Sequence, residues 1–472
     1  MASVTMKTLS GTKTNVAQEA LVQLRRQVKG RVLTAADGEY EEARQIWNGA
    51  IQRQPALIVR CQGDADVMAA VNFGREHQLA VSIRSGGHNV SGASIADQGL
   101  VIDVSRMRSV HVNPEQRTVF AEAGVLLGDL DHQTAPLGLA VPVGVVSATG
   151  VTGLTLHGGM GWLLRKHGMT IDNLLAVHVV TADGQLRRAS ADSEQDLFWA
   201  LRGGGGNFGV VTALEYRLHP VPPNVLWTMP MYELTDASAV VTAVQQYMAA
   251  GHEDFMAVAI FGSVPPLPEV DPMLHGMPVL IMLGCDSGDQ QTSTATAQML
   301  RQAAEPVVDL STKVPWVQVQ QMLDEDYPDG KLYYWTSMFL DELNADVIRV
   351  LEKYTRSRPS LDTTIDIWFL GGAMAAVPSD ATAFFQRQHP FMIGIEANWT
   401  NDADSAANIA WVKELQKELE PLAAGGRYLN FPGQVDQHEA MQRAVFGDNL
   451  ERLQKVKQTY DPQGLFPGLL RV

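Results

Sequence analysis

Arg84-Ser85-Gly86-Gly87-His88-Asn89 is the densest signal in the chain. It closes the apolar run 79–85 (LAVSIRS), which reads as a strand, so the glycines fall in the turn at the strand's end. Consecutive small residues in such a turn leave backbone N–H groups bare, a nest suited to a diphosphate. A histidine directly after it would lie beside the bound anion. A plain Gly–Gly hairpin with an exposed histidine has the same local sequence, and both readings stand on this motif alone.

Working outward, ALIVRC (56–61) reads as a strand and 64–78 as a helix, so the glycine turn ends a β–α–β opening. Its strands have the apolar character of a sheet covered on both faces. Residues 14–30 read as a helix with Val16, Ala20, Leu21 and Leu24 on one face. LVIDVS (100–105) and TVFAEAG (118–124) read as further strands, and 126–138 as a short helix closing at Gly138. The segment 192–202 (DSEQDLFWALR) predicts a helix opened by a capping box from Ser193 to Asp196.

A second signal lies at 144–161 (GVVSATGVTGLTLHGGMG), rich in Gly, Thr and Ser yet mostly of β type. Trp162 and the cluster Arg165-Lys166-His167 follow it. Such a stretch lets backbone approach a large flat ligand, or forms a long loop packed by its own small residues. A third is Gly203-Gly204-Gly205-Gly206-Asn207-Phe208-Gly209, which satisfies G-x-G-x-x-G. A dinucleotide fingerprint needs strand, glycines, then helix; here a helix precedes and the strand VVTALEYRL follows, so the motif does not support NAD binding.

The chain has 472 residues, a length suited to two or three domains, and 46% of them are hydrophobic, enough for a large core. With 36 basic against 52 acidic residues the net charge is -16, which argues against nucleic acid or an anionic membrane as partner. Two cysteines, Cys61 and Cys285, exclude a disulfide framework and a cysteine-rich zinc site. The nearest zinc-protease fragment, His438-Glu439-Ala440-Met441-Gln442, lacks its second histidine, and no metal site is expected. There is no P-loop and no G-x-S-x-G nucleophile motif, which leaves cofactor chemistry. The N-terminus lacks an apolar signal core and no run is long enough to span a bilayer, so a cytoplasmic protein is expected.

Prolines at 220, 222, 223 and 230 mark a boundary. Beyond it, strands (255–264, 278–285, 364–372, 391–400) alternate with amphipathic helices (236–250, 288–304, 405–420). This reads as α+β, a mostly antiparallel sheet backed by helices. The last segment, RYLNFPG with a helix over 438–459 and YDPQGLF, has a different texture.

Taken together, RSGGHNVSG (84–92), LHGGMGWLLRKHGMTIDN (156–173), DLFWALRGGGGNFGVV (196–211) and YLNF with FGDNLERLQKVKQTYDPQGLF (428–431, 446–466) resemble the FAD-linked oxidases with a PCMH-type FAD domain, the vanillyl-alcohol-oxidase superfamily. The resemblance runs from about 40 to 470 and is closest to the berberine-bridge-enzyme-like branch and to the bacterial 6-hydroxy-D-nicotine oxidases. It implies a two-subdomain FAD-binding domain (1–220, completed by 427–472) and an inserted substrate domain (221–426).

The resemblance further implies a covalent 8α-histidyl bond from His88 to FAD. Ser85, Gly86, Gly87 and Asn89 would hold the pyrophosphate, and Arg84, Ser94 and Gly144 would also bind the cofactor. Gly150, Val151, Thr152, Gly153, Leu156, His157, Gly158 and Gly161 would line the flavin ring and ribityl chain, and Trp162 would also bind the cofactor. Asn207, Gly209 and Val211 would lie near the flavin or adenine end, and Tyr428 and Asn430 would return to the isoalloxazine.

Two departures from the family pattern matter. Many relatives carry a second flavin link from a cysteine; Val146 stands there, so a single covalent link is expected. The second tyrosine of Y-x-N-Y is Phe431, so substrate deprotonation needs another base or a better hydride donor. In TIDIWFLGG, Asp366 and Trp368 share a face, which makes Asp366 a base or cation-binding residue if that face looks at the flavin. Of Tyr333, Tyr334 and Trp335, Tyr334 is the one expected in the pocket, and Tyr428 completes the catalytic set. The implied reaction is hydride transfer from a small organic molecule (an alcohol, an amine or a secondary metabolite) to flavin, with O2 as acceptor. A dehydrogenase or oxidative cyclase, or a non-catalytic flavin protein, are the other readings, and oligomeric state stays open.

Overall fold

The computed structural model describes residues 3–433 and 437–472. Residues 31–217 build two sheets, of four and five strands. Val81–Arg84 and Leu100–Asp103 pair in parallel, Leu100–Asp103 pairs in parallel with Leu57–Arg60, and Arg31–Leu33 adds an antiparallel edge. Parallel neighbours require a crossover, and the helix Asp64–Glu76 supplies it between Leu57–Arg60 and Val81–Arg84. The second sheet is antiparallel, in the order Leu186–Ser190, Leu174–Val180, Val210–Arg217, Thr118–Glu122, Val110–Asn113.

From Asn224 to Trp399 the chain lays down a nine-stranded antiparallel sheet. Its long strands are Phe255–Ser263, Pro278–Asp286, Leu332–Leu340, Thr364–Phe369 and Phe391–Trp399. Side chains alternate across it with period two. Ile365, Ile367 and Phe369, with Ile393, Ile395 and Ala397, pack on the helix side against Val347, Leu351, Val412 and Leu415. The opposite face carries Asp366, Trp368, Met392, Glu396 and Trp335 and looks onto the first domain.

After this sheet the chain returns. Leu429, Val445, Leu453, Val456, Phe466 and Leu470 join the core made by residues 6–218, so the C-terminal segment packs into the first domain.

Several local expectations are corrected. Residues 14–30 are not one helix: Lys13–Val16 is a strand paired with Val4–Lys7, and the helix is Gln18–Gln27, with Leu21 and Leu24 buried. No capping box forms at Ser193; the helix is Gln195–Leu201, with Glu194 at its N-cap and no side-chain cap, because Ser193 is engaged in a backbone bridge with Ser190. The terminal helix is two, Glu439–Phe446 and Leu450–Tyr460, broken at Gly447, whose φ of 50° leaves the helical region. Inside 144–161 the chain is not of β type throughout: Val151–Leu156 is a short helix.

Both cysteines are buried free thiols. No helix among the described residues is long and apolar enough to cross a membrane. Among the same residues no cluster of three metal-binding side chains occurs.

Candidate active site

A cleft runs between the first domain and the open face of the nine-stranded sheet. The glycine turn forms part of its wall. Gly86 and Gly150 touch: a Cβ on Gly86 would stand 2.6 Å from the Gly150 Cα, and one on Gly150 would stand 2.6 Å from the Gly86 nitrogen. This approach joins the turn after the Val81–Arg84 strand to the start of the Val151–Leu156 helix. Ser85 Oγ and Thr152 Oγ1 both donate to the Ala123 carbonyl, at 2.6 and 2.8 Å, and tie the two segments to the second sheet. Gly87 turns at φ 70°, where a side chain is disfavoured. Asn89 Oδ1 accepts from Ser91 N, Ser91 Oγ and Ala93 N, and so shapes the loop behind His88.

His88 lines the cleft against aromatic rings. Its ring stacks on Trp47 at 4.1 Å, and Trp47 stacks on Tyr333 at 3.7 Å. Its Nε2 is enclosed and has no hydrogen-bond partner. Burial holds the imidazole at a pKa of about 4, so it is neutral at physiological pH with a lone pair available. His157 is alike: Nδ1 meets the Gly153 carbonyl at 3.1 Å, Nε2 is enclosed without a partner, and burial lowers its pKa.

Of the residues singled out from sequence, Ser85, Gly86, Gly87, His88, Asn89, Ser94, Gly144, Gly150, Thr152, Gly153, Leu156, His157, Trp162, Gly209, Val211, Tyr428, Asn430 and Asp366 all line this one cleft. Val146 also lines it. Other expected residues do not reach it. Arg84 turns away and donates from Nη1 to the Ala43 carbonyl. Val151 packs into the core of the first domain. Gly158 lies against Met169, and Gly161 against the Val143 carbonyl. Asn207 Nδ2 donates to the Gly204 and Leu470 carbonyls, so its side chain braces the loop. Tyr334 packs on the helix side of the sheet, one residue out of phase with the cleft; Trp335 is the one that faces in.

Two residues that sequence reasoning missed complete the far wall. Thr364–Phe369 pairs with Phe391–Trp399 so that Asp366 lies opposite Gly394 and Thr364 opposite Glu396. Asp366 and Glu396 thus share the cleft face, 3% and 2% exposed. Tyr327 donates its hydroxyl to Glu396 Oε2 at 2.9 Å. Burial pushes Asp366 up to about 7, and burial together with the neighbouring Asp366 pushes Glu396 well above the usual carboxylate range. Two neighbouring buried carboxyls hold their protons more tightly than exposed ones do. A lone acid inside the apolar run FMIGIEANW was the available signal, because a buried carboxyl without a purpose is costly.

Tyr428 and Asn430 reach the cleft because Tyr428 N donates to Ser337 Oγ and Ser337 Oγ donates to the Phe431 carbonyl, both at 2.9 Å. Asn430 Nδ2 donates to the Tyr428 hydroxyl oxygen at 2.9 Å. Burial raises Tyr428 to about 12, so the phenol keeps its proton.

These residues fit a flavin dinucleotide. Gly153 and Gly206 present bare backbone to the cleft, an added Cβ at either meeting nothing within 4 Å, the cleft is largely apolar, and enclosed nitrogens on His88, His157 and Trp162 lack partners.

Comparison with known proteins agrees. Residues 55–190 match the family described as FAD binding domain, and 427–467 the family described as berberine and berberine like. An FAD-linked oxidoreductase of Dictyostelium discoideum is 30% identical over 443 residues, 93% of each chain. (R)-6-hydroxynicotine oxidase of Paenarthrobacter nicotinovorans is 38% identical over 199 residues, 42% of this chain and 43% of that one. The crystal structure of 6-hydroxy-D-nicotine oxidase from Arthrobacter nicotinovorans superposes with a TM-score of 0.83 at 26% identity, covering 93% of this chain and 96% of that one. The chain is an FAD-linked oxidoreductase and belongs to the PCMH-type, vanillyl-alcohol-oxidase superfamily, in its berberine-bridge-enzyme-like branch.

Proposed function

We propose that this enzyme is an oxidase that carries FAD on a single covalent bond from His88 and removes a hydride and a proton from a small organic substrate. The observation that carries the reading is the meeting of two unlike walls in one cleft: a glycine cradle with a neutral, partnerless histidine, and a buried carboxyl pair. FAD, when bound, supplies the two-electron acceptor for the substrate C–H.

The chain's own residues supply the rest. Gly86, Gly87 and Gly150 bring backbone close to the dinucleotide, and His88 Nε2 offers the nucleophilic lone pair for attachment. Trp335, Trp368 and Phe431 exclude water around the substrate. The Asp366–Glu396 pair takes the proton from the substrate O–H or N–H. Tyr428 stays protonated and acts as a hydrogen-bond donor, a different role from a tyrosinate base. The names of the nicotine-oxidase relatives support O2 as acceptor, with H2O2 as product.

The test is acid denaturation of the purified yellow protein, with flavin fluorescence read on the protein band. Fluorescence stays with the wild type and leaves the band in His88→Ala. Release of flavin from both rejects the covalent bond, and a colourless protein that takes up no FAD rejects the reading as a whole. Stoichiometric H2O2 during turnover distinguishes an oxidase from a dehydrogenase.

A further inference from the structure

Deepening the reading of this cleft as an FAD site, on which it rests, we infer that Asp324 is a positioning residue. Through Ser147 it sets the 144–149 wall of the cleft, and because Tyr327 stands on the same turn it holds that wall in step with Glu396. Residues 144–149 form neither helix nor strand, yet Gly144, Val145, Val146 and Thr149 line the cleft. A stretch without a ladder of its own is placed by the bonds its polar groups find elsewhere.

Some of those bonds come from the first domain: Gly128 N donates to the Ser147 carbonyl and Leu127 N to the Thr149 carbonyl, both at 2.9 Å. The others come from the inserted domain. Ser147 N donates to Asp324 Oδ1 at 2.7 Å, and Ser147 Oγ donates to Asp324 Oδ2. Gln320, buried at 2% exposure, donates from Nε2 to the Gly144 carbonyl at 3.3 Å and to Asp131 Oδ2 at 3.2 Å. Gln320 and Asp324 thus grip both ends of 144–147. The Asp324 grip is the stronger, because two donors meet an ionised acceptor.

The local fold explains why one residue can serve both walls. Asp324–Asp326 is a 3₁₀ turn, in which residues three apart eclipse. Asp324 and Tyr327 therefore face the same way, into the protein, while Glu325 and Asp326 are exposed. Tyr327 lines the cleft and donates its hydroxyl to Glu396 Oε2 at 2.9 Å. Its carbonyl accepts from Trp47 Nε1 at 2.9 Å, and the Trp47 ring stacks on His88. A displacement of the turn at Asp324 reaches Glu396 and the His88 side through Tyr327, and a displacement of 144–149 reaches the turn through Ser147.

The experiment combines hydrogen-exchange mass spectrometry with visible circular dichroism of the flavin, on the flavin-loaded protein. The variants are Asp324→Ala, Ser147→Ala and the conservative Asp324→Asn, which keeps an oxygen for the Ser147 N–H and offers an amide to its hydroxyl. In Asp324→Ala, exchange in peptides covering 144–150 is expected to quicken about tenfold, and the visible flavin band to change in sign or size. In Ser147→Ala, exchange across 320–327 rises about threefold, because coupling between two segments is reciprocal. Asp324→Asn restores both readouts to near the wild type, and Leu174–Val180 exchanges alike in all four proteins. Unchanged exchange over 144–150 and an unchanged flavin band in Asp324→Ala overturn the inference. So do an undisturbed 320–327 in Ser147→Ala, an Asp324→Asn as disturbed as Asp324→Ala, and a rise that is equal in Leu174–Val180. A wild type without a visible flavin band rejects the FAD reading, whereas the exchange measurement judges the Asp324–Ser147 contact with or without flavin.

Discussion

Asp366 shows how one residue carries opposite demands from stability and function. Its ordinary carboxylate pKa is 3.8, and burial in the folded protein lifts it to about 7. The folded state therefore holds this proton more tightly than the unfolded chain does. Stability is fully present below the unfolded value and is drained as pH rises from there to the folded value, where Asp366 ionises beside Glu396, Tyr327 and Asp326. Asp366→Asn removes the charge and keeps the shape. It is expected to melt at least roughly 2 °C above the wild type at about pH 8 and to lose that advantage near pH 4. Scanning calorimetry at the two pH values checks this; the same gap at both would mean that ionisation of Asp366 is not the cause. Activity should fall in the same variant. At the same scale Trp47 fills the space between His88 and Tyr333. Trp47→Ala removes a side chain only 2% exposed and is expected to destabilise by about 3 kcal/mol in urea titration, with lower flavin content.

Among the elements, the strand-end turn and the Val151–Leu156 helix work as a unit because Gly86 and Gly150 allow backbone contact. Gly150→Ala is expected to leave the fold intact but force the two apart by several tenths of an ångström. Flavin content, read as visible against protein absorbance, should drop several-fold; full content would show that the cradle tolerates the spacing. That helix was not legible in its own residues. Val, Thr and Gly are weak helix formers, and the run VTGLTL scores as extended. Tertiary contacts override the propensity: Gly150 bridges to Leu126 and Thr155 Oγ1 bonds the buried Tyr216 hydroxyl at 2.7 Å. The strand Leu332–Leu340 likewise shows only an aromatic cluster in its sequence, and its register alone separates the inward-facing member from its neighbour.

On the scale of the molecule, a buried lysine helps the C-terminal segment close the first domain. Lys457 Nζ donates to the Asn207 and Phe466 carbonyls, both at 2.6 Å, and to Asp461 Oδ2 at 2.7 Å. Asp461 in turn accepts from the backbone nitrogens of Leu465 and Phe466. The clasp joins the Gly203–Gly209 turn, which supplies Gly206 and Gly209 to the cleft, to the strap that supplies Phe466, Pro467 and Gly468. Lys457→Met leaves buried acceptors and a buried carboxylate unpaired. It is expected to destabilise by about 3 kcal/mol and to open the strap to limited proteolysis, whereas protection equal to the wild type would show that the strap is held by packing alone.

The sequence by itself determined what local chemistry and period dictate: the strand–turn carrying Gly86, Gly87 and His88, the crossover that makes neighbouring strands parallel, and the common face of Asp366 and Trp368. Those follow from residues adjacent along the chain, whose backbone geometry allows few alternatives. Which face of Thr364–Phe369 looks into the cleft, that Glu396 joins Asp366 there, and that Trp335 rather than Tyr334 points inward were decided only by tertiary structure. Each depends on pairing between strands roughly 20 residues or more apart and on which side the helices cover, and a shift of one residue in register would exchange the two faces.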